Sequence, residues 1–296
     1  MYRRNSSNQL LLMHNMTRFL AVSCLICSSF TAGSFVTPLL AQTKDSAAKP
    51  KKYTLPKVGA VPDSIRTEWK LDDYYSKYAD AGGLPVIASK VVDDRALATA
   101  AYIVAKMLSE RPDVLKCLIE SRVRVGVIGK NQQTTDLPEY VGLRAEADRW
   151  NKRSRGLGAT RDKPAVSAGE ENLIYLPNDL YKGESILVHE FGHTVHELGL
   201  NTIDPKFEPR LKDAYDAAMK KRLWAKTYAA TDFKEYWAEG VQSYFDCNMS
   251  VRVPDGIHNG VASRASLKRY DLALYELIDD TLKSPKWSMA QPFPAK

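Results

Sequence analysis

Beyond residue 41 the chain has only two cysteines, Cys117 and Cys247, and four histidines. Two widely separated cysteines build neither a Cys-type zinc module nor a disulfide-stapled mini-domain. In an oxidising compartment they can pair, and in a core they can equally stand as two buried thiols; the sequence leaves both open. A Lys/Arg block is also missing. Net charge is +7, but Arg3, Arg4 and Arg18 are the only charged residues among the first 41, which leaves +4 for the rest. So small an excess describes a solvated surface and argues against a nucleic-acid partner. There is no internal repeat, and the glycines at 156 and 158 lack the strand–glycine–helix setting of a nucleotide fingerprint.

Long apolar runs are absent except near the N-terminus. Phe19 to Ala41 is apolar, follows basic residues and gives way to polar sequence at Gln42, the pattern of an export signal. A cut after Ala41 is expected, although Leu39 is a poor small-residue match, and Met13 or Met16 can serve as the start. Three other readings compete. The run is near the length of a retained membrane anchor. Cys24 can carry a lipid, but too few apolar residues precede it. A buried first helix suits the Ser/Thr/Gly/Pro content badly. The expectation is an exported protein, secreted, periplasmic or attached to the cell envelope, with no stable membrane insertion once the signal is removed.

The chain as a whole has ordinary globular composition, 44% hydrophobic and 26% charged. Residues 1–41 read as signal, 42–80 as a Lys/Pro/Ala-rich linker or extended lead-in, and 81–296 as the catalytic domain. Gly82-Gly83 mark a turn. Helical spacing appears over Val92–Ser109, capped by Asp93 or Asp94, then over Val114–Ser121 after the Arg111-Pro112-Asp113 break. Val123–Gly129 and Glu171–Pro177 read as strands, with a long loop over residues 150–170 between them. Further helices are expected over Pro205–Trp224, Asp232–Asp246 and Ser266–Leu282.

Three of the four later histidines, His189, His193 and His196, fall within eight residues, and the first two frame His189-Glu190-Phe191-Gly192-His193. On a helix, positions i and i+4 share a face. Two imidazoles so placed can hold one zinc ion, with Glu190 beside the water it activates. Gly199 is the expected C-terminal stop of that helix. His196 lies about 60° off the zinc face and reads as a helix-surface histidine. A histidine at 199 with a glycine at 196 would extend the motif, but this chain has the reverse, which excludes that pattern. A third ligand is needed. Glu235 and Glu239 repeat the i, i+4 spacing on a helix whose apolar neighbours, Tyr236, Trp237, Val241 and Phe245, imply burial. One of the two can bind zinc while the other accepts the second ring proton of a ligating histidine. Glu235 is favoured as the ligand. His258 reads as a loop histidine without a role.

The HEFGH run followed by EYWAE resembles the catalytic domain of anthrax toxin lethal factor and the secreted Pro-Pro endopeptidases. The resemblance is specific over Ser185–Phe245 and diffuse over Leu84–Leu282. It implies a helix-rich α+β, zincin-like domain with a small mixed sheet and an HExxH helix. It also implies gluzincin-type zinc binding by His189, His193 and Glu235. A tyrosine seven residues before the glutamate, here Tyr228, is implied as hydrogen-bond donor to the reacting carbonyl. The segment ENLIYLP becomes the candidate edge strand for an extended substrate. The toxin's substrate-recognition domains have no counterpart, so its substrate does not carry over. The reading is a single-zinc endopeptidase acting on a protein or peptide. Its rivals are an inactive zinc-binding module and an envelope protein whose histidines are incidental.

Overall fold

The computed structural model describes residues 55–283 and 285–289. The export signal and residues 42–54 of the linker lie outside them. In chain order the elements are β1 (Gly59–Ala60), α1 (Asp63–Trp69), β2 (Lys77–Ala81), β3 (Leu84–Ala88), α2 (Asp94–Met107), α3 (Pro112–Glu120) and β4 (Arg124–Ile128). They continue with α4 (Ala147–Arg153), β5 (Gly156–Leu157), β6 (Ala165–Gly169), α5 (Glu170–Leu173) and α6 (Ile186–Thr194). A π-helical segment, Val195–Leu200, leads from α6 into α7 (Asn201–Ile203), followed by α8 (Phe207–Lys220), α9 (Phe233–Tyr244), α10 (Arg264–Tyr270) and α11 (Leu272–Leu282).

The fold is α+β, helix-rich around a mixed six-stranded sheet of order β1-β2-β3-β4-β6-β5. The two parallel pairs, β3/β4 and β4/β6, lie at its centre, and the outer pairs are antiparallel. Central parallel strands are covered on both faces, which is why LPVIA and RVGVI carry runs of apolar residues with little alternation. The turn between β2 and β3 is two glycines, both at positive φ (73° and 102°), where a side chain would be strained. At the end of β6 the Glu170 carboxylate accepts the backbone N–H groups of Asp93 (2.9 Å) and Lys130 (2.8 Å), tying the start of α2 to the loop after β4. Its burial is tolerated because both oxygens are engaged.

Several expectations change. The lead-in expected over 42–80 is structured in its second half: β1 and the start of β2 are strands of the same sheet as the rest, with the helix α1 between them. ENLIYLP is not a strand. Its first residues form α5, and the strand is the preceding AVSAG, fully buried and paired to both β4 and β5. Gly199 does not end the α6 helix, which continues through the π segment. A Cβ there would lie 2.8 Å from Val114 Cγ1, so glycine serves the close approach of α3. The last helix is broken at Asp271. That carboxylate caps α11 through Leu274 N (3.1 Å) and also accepts Trp224 Nε1–H (2.9 Å) and Tyr236 O–H (2.7 Å). Cys117 and Cys247 are both free and buried.

His196 is not on the surface. It is completely buried, edge-on to Phe207 and Phe233 with ring centroids 5.3 and 6.0 Å away. Neither ring nitrogen makes a hydrogen bond; Glu208 stands 3.4 Å from Nε2 without the geometry for one. Burial lowers its pKa to about 4, with Glu197 and Glu208 only partly opposing. Above pH ~6.5 the ring is neutral in both folded and unfolded chains. As pH falls from there towards 4, the unfolded chain takes up the proton and the folded one does not. Stability present above pH ~6.5 is therefore lost, by up to about 3 kcal/mol. His196→Phe is expected to remove that share of the acid loss. Urea midpoints of the two proteins at neutral and acid pH check it; parallel pH profiles would contradict it.

Candidate metal centre

Both helices that carry the sequence-predicted ligands start from side-chain caps. Ser185 Oγ accepts Val188 N–H at the start of α6, and Asp232 accepts Lys234 N–H (2.8 Å) and Glu235 N–H (3.0 Å) at the start of α9. The helices pack directly. A Cβ on Gly192 would lie 3.5 Å from Val241 Cβ, and Trp237 Nε1–H donates to Gly192 O at 2.9 Å.

This packing brings three ligand atoms to one corner. His189 Nε2 lies 3.1 Å from Glu235 Oε2, His193 Nε2 lies 3.2 Å from the same oxygen, and the two Nε2 atoms are 3.1 Å apart. Among the described residues these three side chains form the only cluster of His, Cys, Asp and Glu with ligand atoms close enough for a shared metal. Ligands about 2.0–2.1 Å from a tetrahedral ion stand roughly 3.3 Å apart, so the triangle has the right size. The proton arrangement agrees. Gln242 Nε2 donates to Ser185 O (3.1 Å) and Glu184 Oε2 (3.3 Å), which turns its Oε1 towards His189 Nδ1, 2.9 Å away. His189 therefore carries its proton on Nδ1 and presents an Nε2 lone pair to the corner. Lone pairs and a carboxylate converging at this distance call for a cation.

The electrostatics say the same. Burial opposes charge on His189, yet Glu235, Glu190 and Glu239 prevail and push its pKa up to about 10. Burial also works against a charged Glu235, and hydrogen bonds from both histidines outweigh it, holding the carboxyl well below its usual range. With protons alone, the corner retains one where a metal ion would sit.

Glu190 faces the cleft from α6, half-buried, with its pKa raised chiefly by burial. Tyr228 precedes α9 in a 3₁₀ turn, 41% exposed, and its hydroxyl donates to Glu235 Oε1 at 3.2 Å. Glu239, expected to accept the ring proton of a ligating histidine, is 3.6 Å from His189 Nδ1 and accepts Asn248 Nδ2–H at 2.9 Å. The nearer acceptor is Gln242, which the sequence reading missed. One signal was available: Glu235, Glu239 and Gln242 fall at i, i+4 and i+7 on one helix face. Partners of this kind typically control metal affinity by 10–100-fold. Gln242→Leu is expected to weaken zinc binding by about that factor while leaving the three ligands in place, as read by competition with a chromogenic chelator.

The corner opens into a cleft of about 790 Å³, within the range of small-ligand and peptide sites. One wall is α4, β5 and the chain to Thr160; the other includes Leu180, Ile257 and His258. β5 lies flat on α6. A Cβ at Gly156 would meet Ser167 O at 2.7 Å and Glu190 Cγ at 3.2 Å, and one at Gly158 would meet His193 Cβ at 3.0 Å. The strand beside the metal corner is thus β5, not ENLIYLP. His258 is buried, with Nε2 3.4 Å from Glu184 Oε2, which raises its pKa.

No protein-family model matches the chain, and no curated protein matches it. Among solved structures it aligns with that of the Pro-Pro endopeptidase from Paenibacillus alvei, at 18% identity and a TM-score of 0.39, covering 68% of this chain and 98% of that one. A likeness of this size carries no argument about function. No helix among the described residues is long and apolar enough to cross a membrane.

Proposed function

We propose that the protein is an exported, zinc-dependent endopeptidase with a zincin-like domain of the gluzincin type, cutting peptide bonds in a protein or peptide. One observation carries the reading: two imidazoles and a carboxylate from two packed helices meet in a cleft that Glu190 also lines. His189, His193 and Glu235 would hold the ion. When bound, zinc supplies Lewis acidity towards water and a peptide carbonyl. Glu190 takes the proton of the attacking water and returns it to the leaving amine. The Tyr228 hydroxyl, exposed on the cleft, turns from Glu235 to donate to the developing oxyanion. β5 offers main-chain groups along which an extended peptide can lie.

The test is metal analysis of the purified chain together with digestion of a proteome-derived peptide library. Stoichiometric zinc, with cleavage that a chelator abolishes and zinc restores, is expected. Zinc without any cleavage would leave a metal-binding module. Neither zinc nor cleavage would mean that the histidines are incidental.

A further inference from the structure

Residues 144–163 hold seven basic side chains against three acidic ones, a net +4. That equals the whole excess of the chain beyond residue 41. The segment is not spread around the molecule. Its middle, from Arg149 to Thr160, forms one wall of the cleft that ends at the metal corner.

The acids and bases of the cleft differ in how they are occupied. Glu235 faces His189 and His193, Glu184 faces His258, Glu197 pairs with Lys234, Asp232 caps α9 and Glu239 accepts Asn248 Nδ2–H, which leaves Glu190, beside the two histidines, as the remaining acid of the lining. Arg155 is likewise committed, gripping buried Glu171 through Nε (2.5 Å) and Nη2 (2.8 Å). The bases of α4 are not. Among the described residues the one acidic partner of Arg149 is Glu146, with both side chains about 60% exposed, and Arg153 has none. Trp150, between them in sequence, lines the same wall with the Arg149 guanidinium 5.6 Å from its ring centre. Uncommitted positive charge on a cleft wall, beside an aromatic surface, is complementary to an anionic ligand.

We propose that this wall is a specificity element: Arg149 and Arg153 select peptides carrying acidic side chains on one side of the cleaved bond. The proposal rests on the peptidase reading above. Each arginine should contribute a preference of about 2–5-fold, the size of a partly exposed ion pair, and salt should weaken it.

The experiment is a peptide-library digest by the wild type, Arg153→Lys and the Arg149→Glu/Arg153→Glu double variant. It is read as the ratio of acidic to basic residues at each position around the cut. Because that ratio is internal to each digest, it does not depend on the fraction of enzyme folded. An acidic preference in the wild type, kept by Arg153→Lys, reversed by the double variant and shrinking with added salt, is expected. Cleavage with no charge preference overturns the proposal and leaves the peptidase reading intact. If nothing is cleaved, the Glu190→Gln protein is titrated with one acidic peptide and its amidated, neutral counterpart. Tighter binding of the acidic one supports the wall's role although the peptidase reading has failed, and equal binding overturns it. Binding to anionic phospholipid vesicles without discrimination between the two peptides would also overturn it, assigning the wall to a membrane surface.

Discussion

Glu190→Gln is expected to keep stoichiometric zinc and lose two to four orders of magnitude in kcat. The side chain is not among the three converging ligand atoms, so its replacement by an isosteric amide leaves the metal corner unchanged. The amide cannot accept a proton from water. Its loss therefore falls on the chemical step, and KM should change little. Steady-state kinetics on a peptide identified in the library digest, with metal content measured on the same sample, check this. A loss of less than tenfold would remove Glu190 from its assigned role.

Glu235→Ala acts on the other half of the site. It deletes the carboxylate that, among the described residues, meets both histidines and leaves two ring nitrogens facing each other. The loss in zinc affinity should exceed the 10–100-fold typical of outer partners. A ligand that binds only the folded chain stabilises it by about 4 kcal/mol at a thousandfold excess over Kd. Zinc should therefore raise the melting temperature of the wild type and leave that of Glu235→Ala nearly unchanged. The Asp232 cap of α9 is retained, so helix content by circular dichroism separates metal loss from misfolding. A variant that binds zinc like the wild type would mean the third ligand is elsewhere.

The metal corner was legible because its information is periodic. His189/His193 and Glu235/Glu239 each repeat at helical spacing, on helices with strong caps and apolar neighbours. Tyr228 was reached through resemblance alone. What stayed hidden was hidden for physical reasons. β6 is AVSAG, with Val166 its single β-branched residue, so it lacks the signature of a strand although it is buried along its whole length. β5 has two residues, too few for any pattern. His196 was placed on the surface by assuming a helix with one buried side, whereas at this turn Phe207 and Phe233 cover that side too. Gln242 looks like any polar residue until the fold turns its oxygen towards His189.

The packing of α6 on α9 through Gly192, Trp237 and Val241 has a broader consequence. All three ligand atoms ride on these two rods, while much of the cleft's lining is carried by α4, the two-residue β5 and connecting loops. On the proposed reading, capture of the ion and choice of substrate are therefore separable properties of one molecule. If the proposed function holds, sequence drift in the lining would change what is bound without moving the ligand atoms, whereas a shift of one rod against the other would be felt first as a change in metal retention.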